Sequence, residues 1–171
     1  MSKKKVAILV NIVAPYRVPV YRKLGQRFKV KVFVSGREGN RQEWKQIESA
    51  LRPDVEVKKS WGWTIPYPEI RRHGIYQHRY LHITPGYFSD LISFQPDAVL
   101  TNEMGVRSLL ALLYSRLTDT PVWVWWGGTL HTERNIGVPR KMVRIFFKRY
   151  ARHWISYGET STEYLEELGV S

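Results

Sequence analysis

Val6-Ala7-Ile8-Leu9-Val10 runs directly into Asn11-Ile12-Val13-Ala14-Pro15-Tyr16-Arg17-Val18-Pro19. An unbroken apolar run with β-branched side chains, closed by turn chemistry, reads as a strand buried on both faces of a parallel sheet. In open α/β sheets ligands bind beyond the carboxyl ends of the strands, so the segment from Asn11 to Arg17 is expected to line a site. That loop holds no glycine. The dinucleotide fingerprint needs G-x-G-x-x-G at this place for a tight turn and close approach to a pyrophosphate, so ordinary nicotinamide or flavin binding is not expected.

Downstream of this loop the pattern alternates between strand and helix. Val18, Val20, Tyr21, Leu24 and Phe28 fall near helical spacing, and Pro19 suits a first turn, which predicts a helix of about two turns. Val30, Val32 and Val34 then alternate along a strand expected nearer the sheet edge, and Val55 and Val57 suggest a third. A helix is expected around Glu43 to Leu51, stopped by Pro53. After Pro85 come a helix through Phe94, the buried strand Ala98-Val99-Leu100, and a leucine-rich, well-buried helix from Gly105 to Leu117. Val122-Trp123-Val124-Trp125-Trp126 reads as the next strand and runs into Gly127-Gly128-Thr129-Leu130-His131. A helix from about Pro139 to Ala151 leads to the strand His153 to Tyr157. Repeated strand, loop and helix units of these lengths predict one doubly wound, mostly parallel, Rossmann-like sheet in a three-layer α/β/α domain.

With 171 residues and 43% hydrophobic content, the chain is long enough to bury a core. It has no cysteine, which excludes disulfides, thiolate metal sites and cysteine nucleophiles and suits a reducing, cytoplasmic setting. The basic start Met1-Ser2-Lys3-Lys4-Lys5 is followed by too short an apolar stretch for a signal peptide. No apolar run approaches the roughly 20 residues of a spanning helix. Lys and Arg number 27 against 15 Asp and Glu, a formal charge of +12 that attracts polyanions such as nucleic acid, anionic lipid and phosphorylated substrates. Between Trp61 and Ile83, Trp61, Trp63, Tyr67, Tyr76 and Tyr80 are interleaved with Arg71, Arg72, His73, His78 and Arg79. This is either an amphipathic β-ribbon or loop, or a stacking surface for single-stranded nucleic acid. Without an RNP-type motif, a helix-turn-helix pattern or a repeat, nucleic acid is the less favoured partner, and a non-catalytic basic module binding it is the alternative function.

Four stretches, in this order and spacing, carry a family likeness. They are Asn11 with Pro15-Tyr16-Arg17-Val18-Pro19-Val20-Tyr21 and Leu24, then Gln95-Pro96-Asp97-Ala98-Val99, then Trp126-Gly127-Gly128 with His131, and finally Ser156-Tyr157-Gly158-Glu159-Thr160-Ser161 with Leu165 and Leu168-Gly169-Val170. Together they resemble the N-terminal domain of the family-4 retaining glycosyltransferases, two-domain enzymes of GT-B architecture. The resemblance implies the acceptor-binding half of a nucleotide-sugar-dependent glycosyltransferase for polysaccharide or lipid-linked glycan synthesis. The second, donor-binding domain would begin beyond Ser171, to be supplied in cis or in trans, and this half alone is expected to be inactive. A nucleotide sugar would be a co-substrate, and no cofactor is implied. Glu159 and Glu167 match the spacing of that family's Glu-x7-Glu pair, but they fall at the end of the first half and read as a solvated helical face.

Sugar transfer requires stabilising a leaving diphosphate, supporting a cationic sugar and positioning an acceptor hydroxyl. Backbone N–H groups from Asn11 to Ala14 and the Arg17 guanidinium are candidates for phosphate contact, with Tyr16 beside them; Arg17 could equally be a helix-start charge. Gly127 and Gly128 permit close backbone approach or positive φ, with Thr129 in the same loop. The resemblance implies that His131 approaches the transferred sugar, against the alternative of a solvated loop histidine. Glu103, next to Asn102 at the end of the fourth long strand, could bind acceptor hydroxyls or act as a base, or could cap the following helix. No metal-ligand spacing is present.

Between Pro139 and Trp154, Met142, Val143, Phe146, Phe147, Tyr150 and Ala151 follow i, i+4 spacing, while Arg140, Lys141, Arg144, Lys148, Arg149 and Arg152 fill the remainder. This predicts a basic amphipathic helix whose apolar stripe packs on the sheet and whose cations point outward. Such cations would hold the domain peripherally on the inner face of an anionic membrane, without insertion.

Overall fold

The computed structural model describes residues 2–36, 47–70 and 76–170. Its centre is a six-stranded sheet in the order β3-β2-β1-β6-β7-β8, every neighbouring pair parallel. These strands are β1 (Lys5–Val10), β2 (Lys29–Val34), β3 (Val55–Lys59), β6 (Ala98–Asn102), β7 (Val122–Trp126) and β8 (His153–Ser156). A separate antiparallel ribbon joins β4 (Trp63–Ile70) to β5 (Tyr76–Ile83). The helices are α1 (Val18–Arg27), α2 (Ile47–Ala50), α3 (Gly86–Phe94), α4 (Val106–Thr118), α5 (Leu130–Glu133), α6 (Val138–Tyr150) and α7 (Glu159–Leu168). This is the doubly wound α/β class expected.

The opening strand is buried on both sides, as its composition requires. Val6, Ile8 and Val10 pack with Tyr21, Val32, Leu51 and Val55 on one face. Ala7 and Leu9 pack with Tyr87, Leu91 and Val99 on the other. A third cluster beneath α6 and α7 joins Val124, Trp126, Phe147 and Leu165. The Tyr87 hydroxyl donates a 2.6 Å hydrogen bond to the Val10 carbonyl, so α3 fixes the end of β1 where the first loop departs. Because burial dominates its surroundings, that hydroxyl has its pKa pushed up to about 12.

β2 lies one place in from the edge strand β3. Within the segment Trp61 to Ile83, Trp63–Ile70 and Tyr76–Ile83 pair as the ribbon, with Trp61, Trp63, Ile65 and Leu81 exposed and the two tryptophan rings edge-to-face at 4.6 Å. Arg71, Arg72 and His73 lie outside the described residues, as do residues 43–46 of the helix expected from Glu43 to Leu51; α2 is its described part.

Two helices depart from expectation. α4 is not well buried: it seats Ser108, Ala111 and Tyr114, while Leu109, Leu113 and Leu117 face solvent. α6 does not bury all of its apolar stripe either. Phe147, Val143 and Ala151 pack inward, whereas Met142, Phe146 and Tyr150 are exposed. The expected i, i+4 stripe combines two neighbouring faces of the helix, of which the sheet accommodates one. No helix among the described residues is long and apolar enough to cross a membrane.

Candidate functional site

The strand order reverses between β1 and β6, whose carboxyl ends stand side by side. This is the switch point at which open α/β sheets form a ligand crevice. Asn11 follows β1, Asn102 ends β6, and Glu103 comes next. One guanidinium joins all three. Arg107, in the first turn of α4, donates from Nε to the Asn102 carbonyl at 2.8 Å and from Nη1 to Asn11 Oδ1. Its Nη2 donates to Glu103 Oε2 at 3.0 Å. Arg107 was not among the residues expected at the site, although Glu103 and Arg107 have the i, i+4 spacing of a helical ion pair.

Glu103 is held at φ 64, the left-handed region that a residue with a Cβ adopts at a cost of about 1–3 kcal/mol. The strain is fixed from several directions. Its N–H donates to the Trp125 carbonyl at 3.3 Å, and its own carbonyl accepts from Ser108 Oγ at 2.6 Å. Ser108 is also hydrogen-bonded to Thr101 at 2.7 Å, and both residues are buried. The helix is therefore capped by Gly105 without a side-chain bond, and Glu103 is not its cap. Its carboxylate stays largely exposed at the crevice, paired to an Arg107 side chain that is only 10% exposed.

Arg17 follows Pro15 and Tyr16 in a short 3-10 turn that leads into α1. Its guanidinium carbon lies 5.4 Å from the ring centroids of both Trp125 and Tyr157, which stack on each other at 5.2 Å. Arg17 Nη2 also donates to the Tyr157 hydroxyl. With the Asn102 carboxamide oriented so that its oxygen faces the guanidinium, that oxygen accepts from Nη1 and Nη2. Arg17 Nε and the Tyr21 hydroxyl are buried without hydrogen-bond partners among the described residues. Burial pushes the Tyr21 pKa up to about 12, more than the Arg17 charge lowers it. A buried polar atom left without a partner costs about 1–3 kcal/mol, and Thr84 Oγ1 and Trp126 Nε1 are in the same state. Tyr16 is exposed beside Arg17, its ring centroid 5.5 Å from the guanidinium carbon.

Both glycines of the loop after β7 are required by packing. A Cβ on Gly127 would stand 2.8 Å from the Tyr157 ring, and one on Gly128 would stand 2.3 Å from the Trp126 indole. Neither glycine adopts positive φ. Thr129 caps α5 in a reciprocal capping box, its N–H donating to Thr132 Oγ1 at 2.9 Å. His131 is exposed on that short helix, and no hydrogen bond or ion pair joins it to Arg17, Asn102 or Glu103. The structure thus gathers Asn11, Arg17, Asn102 and Glu103 and adds Arg107, Trp125 and Tyr157. No cluster of metal-binding side chains occurs among the described residues.

Of the six cations expected on the outer face of α6, five are exposed: Arg140, Lys141, Lys148, Arg149 and Arg152. Arg144 is the exception. It is ion-paired to Glu133 at 2.8 Å, with both side chains nearly buried, and its guanidinium carbon lies 4.6 Å from the Trp126 ring centroid.

The fold is that of one half of a GT-B architecture. No family model and no curated protein sequence matches the chain. Among solved structures, it resembles HepE of Anabaena, determined with UDP and glucose, over 98% of this chain and 42% of that one, at 14% identity and a TM-score of 0.62. It also resembles the UDP-GlcNAc 2-epimerase of Neisseria meningitidis over 98% of this chain and 43% of that one, at 16% identity and a TM-score of 0.58. MurG of Acinetobacter baumannii is matched over 92% of this chain and 42% of that one, at 12% identity and a TM-score of 0.51. The chain therefore spans less than half the length of these structures.

Proposed function

We propose that this chain is the acceptor-side half of a nucleotide-sugar-dependent glycosyltransferase acting on a polysaccharide or lipid-linked acceptor, and that a donor-binding half completes it in cis or in trans. The reading rests on one observation above the others. Arg17 is fixed at the switch point by Tyr157, Asn102 and the Trp125 ring, on a fold that spans some 42–44% of solved chains whose names refer to UDP or UDP-sugars.

In this reading the crevice forms the acceptor wall. Arg17 stabilises phosphate charge, either on the leaving diphosphate or on a lipid-linked acceptor, without having to be ordered for the purpose. The Glu103 carboxylate accepts a hydrogen bond from an acceptor hydroxyl and withdraws its proton as the bond to the sugar forms. Arg107 keeps that carboxylate aimed at the crevice, and Asn11 and Asn102 add polar contacts. His131 takes part only when the loop from Gly127 to Thr129 meets the donor half.

Release of UDP from a panel of UDP-sugars tests the division of labour. The isolated chain should release none above the buffer blank, and sustained turnover by it alone would overturn the half-enzyme reading. Arg17→Ala should weaken acceptor binding about 10- to 100-fold, the loss of a charge-assisted hydrogen bond worth about 1.5–3 kcal/mol.

A further inference from the structure

α6 turns apolar side chains toward water on the side opposite its buried residue. Phe147 is fully buried, whereas Val138, Met142 and Ile145, at i, i+4 and i+7, are 73%, 61% and 56% exposed. Phe146 and Tyr150 extend this ridge toward Leu109 and Leu113 of α4, and between the two helices lies a groove of about 530 Å³. Neither α4 nor α6 contains an acidic residue. Arg116, Arg149 and Arg152 line the groove beside its apolar floor, Asp119 is the single carboxylate in the lining, and Lys141 and Lys148 are exposed along α6.

We infer that the α4–α6 face is a monotopic docking surface for an anionic bilayer, with the Val138–Met142–Ile145 ridge entering the leaflet and the flanking cations meeting lipid phosphates. The arrangement is that of an interfacial helix, in which an apolar side sinks about 5–10 Å while Lys and Arg stay at headgroup level. It differs from purely electrostatic adhesion because the outermost side chains are apolar. Nucleic acid matches the charge but offers nothing to cover Met142 and Ile145, whereas an anionic leaflet matches both. The groove is lined along α4 from Leu109 to Arg116, by Phe146, Arg149 and Tyr150 of α6, and by the first residues of β7 and β8, and none of Asn11, Arg17, Asn102, Glu103 or Arg107 lines it. The inference therefore stands independently of sugar transfer.

Co-sedimentation of the full chain with phosphatidylcholine vesicles, with and without phosphatidylglycerol, tests it. Binding should require the anionic lipid, and the double variant Met142→Glu/Ile145→Glu should bind at least tenfold more weakly while keeping its melting temperature, since both side chains are exposed. The chain has no cysteine, so Ile145→Cys provides a single attachment point for a polarity-sensitive fluorophore. Its emission should shift to the blue on anionic vesicles, while the same label at Val20→Cys, on α1, should not respond. Equal binding to neutral vesicles, an unaffected double variant, or a label at position 145 that stays in water would overturn the inference. So would a dimer in solution that dissociates in the double variant, which would assign this face to a second copy of the chain.

Discussion

Arg17 and Arg107 do different work within one crevice. Arg17 lies over two aromatic rings and donates to the Tyr157 hydroxyl, whereas Arg107 is largely buried and ties three strand-end groups together. Arg107→Lys, which keeps the charge but not the planar fork, should lose the simultaneous contacts and destabilise the domain by about 1–3 kcal/mol, read as a lower melting temperature. Glu103→Gly should leave stability unchanged or slightly raised, because the left-handed strain is relieved as an exposed ion pair is lost, and should still impair acceptor binding. Asp97 offers a separate pH test. The Lys5 backbone N–H, donating at 2.7 Å, holds its carboxyl below the ordinary range, with nearby lysines assisting. A depressed folded pKa gives stability that is present at neutral pH and lost as pH falls through that value, so Asp97→Asn should lower stability near pH 7 and converge with the wild type in acid. At this scale the sequence pointed to Asn11, Arg17, Asn102 and Glu103 because they sit at strand ends. Trp125 was visible only as a strand residue, and Tyr157 only at a strand end and within the stretch that carries the family likeness, since their contact with Arg17 crosses 108 and 140 positions.

The β7 loop and α6 show where element-level reading succeeds and where it stops. Gly127-Gly128 was recognisable as a constrained turn, but its reason, room for the rings of Tyr157 and Trp126, is tertiary. Gly128→Ala should therefore destabilise the fold by about 1–3 kcal/mol through overpacking. By contrast, a Cβ at Gly105 meets nothing within 4 Å, and Gly105→Ser should be neutral or stabilising by supplying the missing side-chain cap of α4. In thermal melts Gly128→Ala should fall below the wild type, whereas Gly105→Ser should match or exceed it. Alternation and apolar runs located the six parallel strands because each must satisfy a period of two or a two-sided core. They did not determine which apolar face of α6 the sheet would take. Periodicity records that a helix has an apolar side, while the space beneath it decides how many of those residues are covered. Arg144 reversed for the same reason: Glu133 and the Trp126 ring provide it with an inward partner that its own helix does not reveal.

Across the whole molecule, the crevice at the β1/β6 reversal stands at the carboxyl ends of the strands, while the α4–α6 face runs along the flank of the sheet from the first turn of α4, which carries Arg107, to the last turns of both helices. The fold class followed from the order of strands and helices, since a parallel sheet of this length has few topologies open to it. The domain spans about 42–44% of the solved structures it resembles, and in the proposed reading it supplies one wall of the site. The account accordingly predicts a binder of acceptor with little affinity for donor. The most direct measurement is a two-dimensional NMR titration of the isotopically labelled chain, using a short-chain prenyl diphosphate sugar, a soluble oligosaccharide and UDP-glucose as separate probes. An acceptor probe should shift the amides of Asn11 to Arg17, Asn102 to Arg107 and Tyr157, with the response lost in Arg17→Ala, while UDP-glucose produces weak, unsaturated changes. Saturable binding of UDP-glucose with both acceptor probes silent, or acceptor shifts confined to the far end of the sheet, would contradict it.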